Sequence, residues 1–533
     1  MRSLHGIDRF AHGAKRLTFA AATVFVALGF FVTLKALVQN EQGIASGLLE
    51  LGRSAPERLA LFGMAAAALV GTGVFLFRLR SSVRFVVGLF CFALAIRLIW
   101  VASVPTTPVS DFEFMFNMAV KAARGDFSFT EAPYYVRWTY QLPFTLYEAL
   151  VIKLFGAHPL PLKVLNAFWQ SALAGVVYAL GRALFGDRAG RAAGLVYALY
   201  PSTISTVSVL TNQHPADFFF YLAFCFFLCD LRLRERPRAI ATGLALALGE
   251  LFRPYGPLVL PVIAFFGLFR AAFVWLSTER PASEKRFWPA LRKAVIPLET
   301  TAWVLIVFWL VTSAAGLALN AAGVTPYSLK SHDPYWKFVV GLNPASSGQY
   351  AEEDLRRFAD LPTLQAQLEV EKALVLKRLL DVDALLPLFW RKFCILWGSP
   401  DATFWWSHGV HRPALEAALK AAERAAFLFV TASAFVGLVL GMRRQDGRGP
   451  WPDGRMLLLW IVLGYAAVHL VIEIQVRYRY FALPTLSILA GAGLVTVTRA
   501  LRRAGEPSAR RGGPCGETGY AGKTHPEHGV KER

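Results

Sequence analysis

Apolar runs about as long as a bilayer is thick recur along this chain. Such a run constrains the backbone severely. A hydrocarbon core offers no partner to an N–H or C=O group, so roughly 20 apolar residues in sequence must satisfy their own backbone as a helix. About twelve runs are readable: roughly 17–38, 58–78, 84–104, 161–181, 190–210, 213–231, 238–252, 255–275, 295–319, 420–442, 455–475 and 478–499. The fold class expected is an all-α integral membrane protein with about 12 transmembrane helices. Only 17% of the 533 residues are charged, against roughly 25% in soluble domains. The first run, Leu17–Val38, is too long for a signal-peptide core and reads as an anchor.

The formal net charge of +20 is not spread evenly. Arginine and lysine gather between alternate runs: Arg78, Arg80 and Arg84; Arg182, Arg188 and Arg191; Arg232, Arg234, Arg236 and Arg238; Lys285, Arg286, Arg292 and Lys293; Arg443, Arg444, Arg448 and Arg455. Positive loops stay in the cytoplasm. Both Arg-rich termini fall on that side, and Asp111 falls outside. No basic stripe alternates with exposed aromatics, which excludes nucleic acid as a partner. The five cysteines form no metal-binding pattern and read as small packing residues.

Two outer segments exceed simple turns, at about 105–160 and 320–415. Tyr140–Phe155 has apolar residues at three- and four-residue steps, as an interfacial helix does. The 383–406 stretch is similar, with Trp390, Trp397, Trp405 and Trp406 expected as interfacial anchors. Ala351–Lys377 reads as a charged helix outside the membrane. The run 238–252 is short and stops at Arg253-Pro254, as a broken helix would. The Gly- and Arg-rich tail from about 501 reads as disordered.

Candidate chemistry concentrates on the outer side. Asp111 and Glu113 follow the third run directly; carboxylates at a bilayer edge usually have a task, although water alone accommodates them there. The turn Asn212-Gln213-His214-Pro215-Ala216-Asp217 carries donors, acceptors and a titratable ring. His214 reads as a hydrogen-bonding residue rather than a metal ligand. Arg253 is either a snorkelling cation or a phosphate ligand. In Glu473-Ile-Gln475-Val-Arg477-Tyr478, polar residues alternate with apolar ones and present one polar face. Glu473 needs a partner, and Arg477 is the nearest candidate. The segment Pro334–Asp354, with Lys337 and Asn343, reads as a carbohydrate-binding or lid loop, or as a plain surface loop.

Together, Ser110-Asp111-Phe112-Glu113, Tyr200-Pro201, Phe252-Arg253-Pro254, the Trp336–Asp354 loop and Gln475-Val-Arg477-Tyr478 resemble the GT-C membrane glycosyltransferases. The family resembled is glycosyltransferase family 39, with its protein O-mannosyltransferases and aminoarabinose transferases, over about 84–500. This resemblance implies transfer of a sugar from a polyprenyl phosphate to a hydroxyl of an envelope glycan, lipid or protein, with inversion, outside the cytoplasmic membrane of a bacterium. It implies Asp111 as base with Glu113 as its companion. Arg253, Arg477, Tyr478 and Lys337 would meet the donor phosphate. Asn212, Gln213, His214, Asp217, Asn343 and Glu473 would line the acceptor or sugar site. No cofactor is required. A divalent ion (magnesium or manganese) bridging Asp111 and Glu113, and a metal-free route, both stay open. The division expected is an N-terminal segment and extra hairpin (1–83), a core (84–319) containing the first loop (105–160), an outer region (320–415), C-terminal helices (416–500) and the tail (501–533). A transporter or flippase of a lipid-linked or amphipathic substrate is the rival, and it predicts charges near the bilayer midplane.

Overall fold

A computed structural model describes residues 2–39, 56–229, 233–277, 284–359, 361, 363–401, 413–443 and 453–504. Within them the regular structure is helical, apart from a single bridge between Trp138 and Ser331. The chain opens with α1 (Arg2–Gln39), α2 (Pro56–Arg78) and α3 (Ser82–Ser103). The first long loop holds α4 (Asp111–Ala123) and α5 (Leu142–Phe155). Then come α6 (Leu160–Phe185), α7 (Asp187–Leu199), α8 (Gln213–Leu228), α9 (Glu235–Phe252), α10 (Gly256–Ser277) and α11 (Glu284–Ala321). The second loop region contains α12 (Leu364–Leu380) and α13 (Val382–Phe393). The bundle closes with α14 (Pro413–Arg443), α15 (Gly454–Val471) and α16 (Leu483–Ala504).

Each of the twelve apolar runs contains a helix, and eight of the described helices are long and apolar enough to cross a membrane by themselves. The others have physical reasons to fall short. Pro201 cannot continue α7, so the 190–210 run breaks at Tyr200 into α7, a short helix Pro201–Ser205 and a 3₁₀ turn. α9 is a continuous helix rather than a broken one, and the break comes after it, at Arg253–Tyr255. The first two helices dock on different neighbours: α1 on α14 and α15, α2 on α3 and α7. The tail beyond 504, Trp405, Trp406, Arg444 and Arg448 lie outside the described residues.

α16 is the central post of the bundle, packed on both α14 and α7. Small residues make this possible. A Cβ on Gly493 would stand 1.8 Å from the Ser433 carbonyl oxygen, and one on Gly491 2.4 Å from that of Ala189. Close helix approach of this kind is how bundles gain contact in lipid, where apolar burial alone drives little. Trp397 is 1% exposed and packs edge-on to Phe25 of α1, so it is a core residue and not the interfacial anchor expected. Trp390, half-exposed, fits that expectation better.

The two long loop regions meet at one end of the bundle. Arg137 Nε donates to Asp333 Oδ2 at 3.0 Å, and its guanidinium lies 5.3 Å from the Trp336 ring centre. Thr130 Oγ1 donates to the Val324 carbonyl at 3.0 Å. Lys392 Nζ, fully buried, donates to the carbonyls of Gly341, Leu470 and Ile472, each at 2.7 Å. That ammonium fastens α13 and the 334–349 loop to the end of α15.

Candidate active site

α4 buries Phe112, Met115, Phe116, Ala119 and Ala122, a three- and four-residue rhythm that seats one face against α5. Asp111 is its first residue. Ser110, just before it, has φ 54°, a conformation that L-residues other than glycine seldom adopt. The Asp111 carboxylate is open to solvent and accepts no hydrogen bond among the described residues. Partial burial raises its pKa above the ordinary aspartate value; Arg477 and Lys337 pull it back, and Glu473 adds to the rise. Asp111 is thus a carboxylate with nearby cations and no fixed partner. Glu113 is exposed on the same helical turn. Positions i and i+2 point about 200° apart on a helix and do not face each other. The two carboxylates therefore fit a shared divalent ion poorly, and no group of three metal-ligand side chains occurs among the described residues.

Facing Asp111 is the strip between α15 and α16. Ile472 and Gln475 are extended, so Glu473 and Gln475 project to one side, and Arg477 follows in the 3₁₀ helix Val476–Ala482. They form a chain. Arg477 Nε donates to Gln475 Oε1 at 2.6 Å, and Gln475 Nε2 donates to Glu473 Oε1 at 2.8 Å. Glu473 Oε2 forms an ion pair with Lys337, from the short helix Trp336–Gly341. Lys337, 136 residues away, is thus the direct partner of Glu473, and Arg477 reaches it only through Gln475. Burial opposes the charge on Glu473, yet Lys337 and the Gln475 amide hold it below the usual carboxylate range. The backbone fixes this pairing too: Glu473 N–H donates to the Lys337 carbonyl at 2.8 Å. Gly341 lies so close to the strip that a Cβ there would stand 2.2 Å from the Ile472 carbonyl carbon.

The turn before α8 completes the wall. Arg253 donates to Asn212 Oδ1 at 2.9 Å, and Asn212 Nδ2 donates to Gln141 Oε1 at 3.1 Å. Gln213 Nε2 donates to the Arg477 carbonyl at 3.2 Å. The guanidinium of Arg253 lies 5.1 Å from the Tyr478 ring centre and that of Arg477 5.7 Å. Arg477 also sits 4.9 Å from the Phe112 ring, which ties it to the helix of Asp111.

Asp111, Lys337, Glu473, Arg477, Tyr478, Arg253, Asn212 and Gln213 are therefore brought together. Three expected lining residues are not. His214 is in the helical core: one ring nitrogen meets Gln170 Nε2 and the other the Thr206 carbonyl, both at 2.9 Å. A ring with both nitrogens engaged is a structural tie. Asn343 folds its own loop, donating to Asp354 Oδ2 at 2.8 Å. Asp217, 1% exposed, lies behind the wall, below Arg253.

Sequence reasoning missed Tyr134 and Tyr140. Tyr134 lies in the field of Asp111 and Arg477, and burial raises its pKa well above the ordinary value. Burial also raises that of Tyr140, which sits among Lys337, Arg253 and Tyr478. The run of tyrosines at 134, 135 and 140 beside a short loop was the available signal.

Residues 143–312 match the family model of dolichyl-phosphate-mannose-protein mannosyltransferases. No curated protein matches the chain. Among solved structures, the archaeal oligosaccharyltransferase AglB of Archaeoglobus fulgidus, bound to an inhibitory peptide and a dolichol-phosphate, is 15% identical with a TM-score of 0.42, over 79% of this chain and 52% of that one. The Archaeoglobus fulgidus oligosaccharyltransferase tethered to an acceptor peptide is 14% identical with a TM-score of 0.40, over 79% and 50%. The chain spans about half the length of these structures. The family match and the motif order agree, and this multi-pass membrane protein resembles the GT-C glycosyltransferases, family 39 in particular.

Proposed function

We propose that the protein transfers a sugar from a polyprenyl phosphate to a hydroxyl acceptor on the extracytoplasmic face, with inversion. The observation that carries this is the placement of Asp111, unpartnered, opposite a wall of cations. The acceptor hydroxyl loses its proton to Asp111 as its oxygen attacks the anomeric carbon. The bond from that carbon to the phosphate oxygen breaks, and the lipid phosphate leaves with the electron pair. Base assistance of this kind is worth about 10²–10⁴ in rate. The leaving phosphate gains charge, which Arg477, Arg253 and Lys337 meet at the cleft wall. Glu473 neutralises much of the charge on Lys337, which leaves the two arginines as the stronger ligands. Tyr478 lies between them as a rigid spacer. Asn212 and Gln213 hold Arg253 and Arg477 in place through the contacts above, so they act as positioning residues. The route proposed assigns no step to a bridging cation.

The experiment is reconstitution in liposomes with a defined polyprenyl-phosphate hexose and soluble hydroxyl acceptors. Formation of glycosylated acceptor supports the reading. Movement of the intact lipid-linked sugar between leaflets without transfer would support the flippase instead. Orientation is tested by single cysteines in a Cys-free background. Cysteine at Ser128 or Ala345 should react with an impermeant maleimide in intact cells, and cysteine at Arg234 only after the membrane is opened. The opposite pattern removes the case for a lipid-linked donor.

A further inference from the structure

A groove of about 620 Å³ opens between α9 and α11, far from Asp111. α9 measures the separation. Arg253 ends it at the cleft, and Arg236 lies seventeen residues earlier on this helix and its cap, roughly 25 Å at 1.5 Å per residue. That is close to the ~30 Å thickness of a hydrocarbon core, so the groove lies at the opposite membrane surface.

Its charges are unevenly used. Glu299 accepts from Arg236 Nε at 2.8 Å. Glu235 accepts from Arg238 and from Thr300 Oγ1, both at 3.3 Å. Arg292, also on the wall, has no hydrogen bond or ion pair among the described residues. Both acids are occupied and one cation is not. Beside Arg292 the lining is apolar at Leu291, Val295 and Ile296, where the membrane-length stretch of α11 begins, and the Arg236–Glu299 pair closes the far end of this patch. Trp288 stands 62% exposed at the rim. A cation and an indole above an apolar floor, at the level where a span leaves the bilayer, match a lipid with an anionic head. A soluble anion would gain nothing from the floor.

We propose that this groove binds an anionic phospholipid, its phosphate on Arg292 and an acyl chain along Leu291, Val295 and Ile296. The lipid would bridge α9 to α11, the helix that leads directly into the segment carrying Lys337.

The test uses the full-length protein in detergent, with phosphatidylglycerol or phosphatidylcholine added in mixed micelles. Lipid retention is read by native mass spectrometry and protection by thermal unfolding. Phosphatidylglycerol should be retained in preference and should raise the unfolding temperature. Arg292→Ala should weaken its binding roughly fivefold, the worth of one interfacial cation. Arg84→Ala, an exposed arginine on another helix, should leave it unchanged. Val295→Trp fills the groove without removing charge and should also displace the lipid. Equal retention of both lipids, an unaffected Arg292→Ala and Val295→Trp pair, or equal protection by glycerol phosphate alone would each overturn the proposal.

Discussion

Arg477 and Arg479 are two residues apart on one strip and face two polar clusters of opposite character. Arg479 turns into the bundle, where its NH2 group donates to Glu423 Oε1 at 2.8 Å. Arg424 donates to both oxygens of Glu423 at 2.6 Å, and Tyr200 donates to Oε1 at 2.6 Å. Each oxygen of Glu423 is thus engaged, and all four residues lie in the core. Arg477 turns to the cleft, where the nearby Asp111 has no hydrogen bond. A closed cluster deep in a bundle holds helices together, while an open one at a surface is ready for a ligand. Charge buried in such a protein therefore does not identify function; the role proposed for Asp111 rests instead on an unengaged carboxylate beside engaged cations.

The largest test of this contrast is Asp111→Asn. Transfer should fall by about 10²–10⁴, while the thermal unfolding temperature stays at the wild-type value. A loss of folded protein instead would make Asp111 structural and collapse the distinction. Glu423→Gln should do the reverse. Breaking one member of a buried ion cluster costs about 3–5 kcal/mol, seen as a lower unfolding temperature and a poor yield of monodisperse protein. Transfer per folded molecule should remain near normal.

Arg477→Ala sharpens the comparison at smaller magnitude. Losing one charge-assisted contact costs about 1.5–3 kcal/mol, so the donor KM should rise roughly ten- to a hundredfold with the acceptor KM little changed. It should also move the pH profile. Asp111 works as a base only when ionised, so rate is lost as pH falls through its pKa. Arg477 lowers that pKa; without it the acid limb should shift to higher pH. An unshifted limb would detach Asp111 from the rate.

A further effect, on stability alone, lies where the two loop regions meet. Burial and the neighbouring Asp333 carboxylate push Glu371 up to about 8, against about 4.3 in an unfolded chain. Between these values the folded state holds a proton that the unfolded state has released, so stability falls as pH rises from about 4.3 to 8. Glu371→Gln should flatten that part of the stability–pH curve.

The helices were legible because the bilayer leaves apolar runs one solution, and the alternation of Glu473 and Gln475 already described a short extended strip with one polar face, although Arg477 lies beyond it in a 3₁₀ helix. Partners were harder. Local spacing offered Arg477 to Glu473, but a loop from 136 residues away supplies Lys337, because Gly341 lets its backbone reach Ile472. Nothing in the 212–217 turn distinguishes Asn212, which meets Arg253, from His214, which turns into the core. That depends on Gln170 and Thr206 of other segments. The break at Tyr200 was readable from Pro201, whereas the burial of Trp397 was not, since tryptophan suits both a core and an interface.

Ser110 carries a consequence for how the protein responds to heat. A serine held at positive φ stores on the order of 1–3 kcal/mol; the packing of α4 on α5, and backbone hydrogen bonds from Phe114 N–H to the Ser110 carbonyl and from Phe112 N–H to that of Val109, keep it there. The aim of Asp111 is thus borrowed from neighbours as well as set by its own backbone. If Asp111 is the base, warming that loosens the α4–α5 contact should misalign it, so activity should be lost below the unfolding temperature of the bundle and return on cooling; activity and unfolding lost together would break the link.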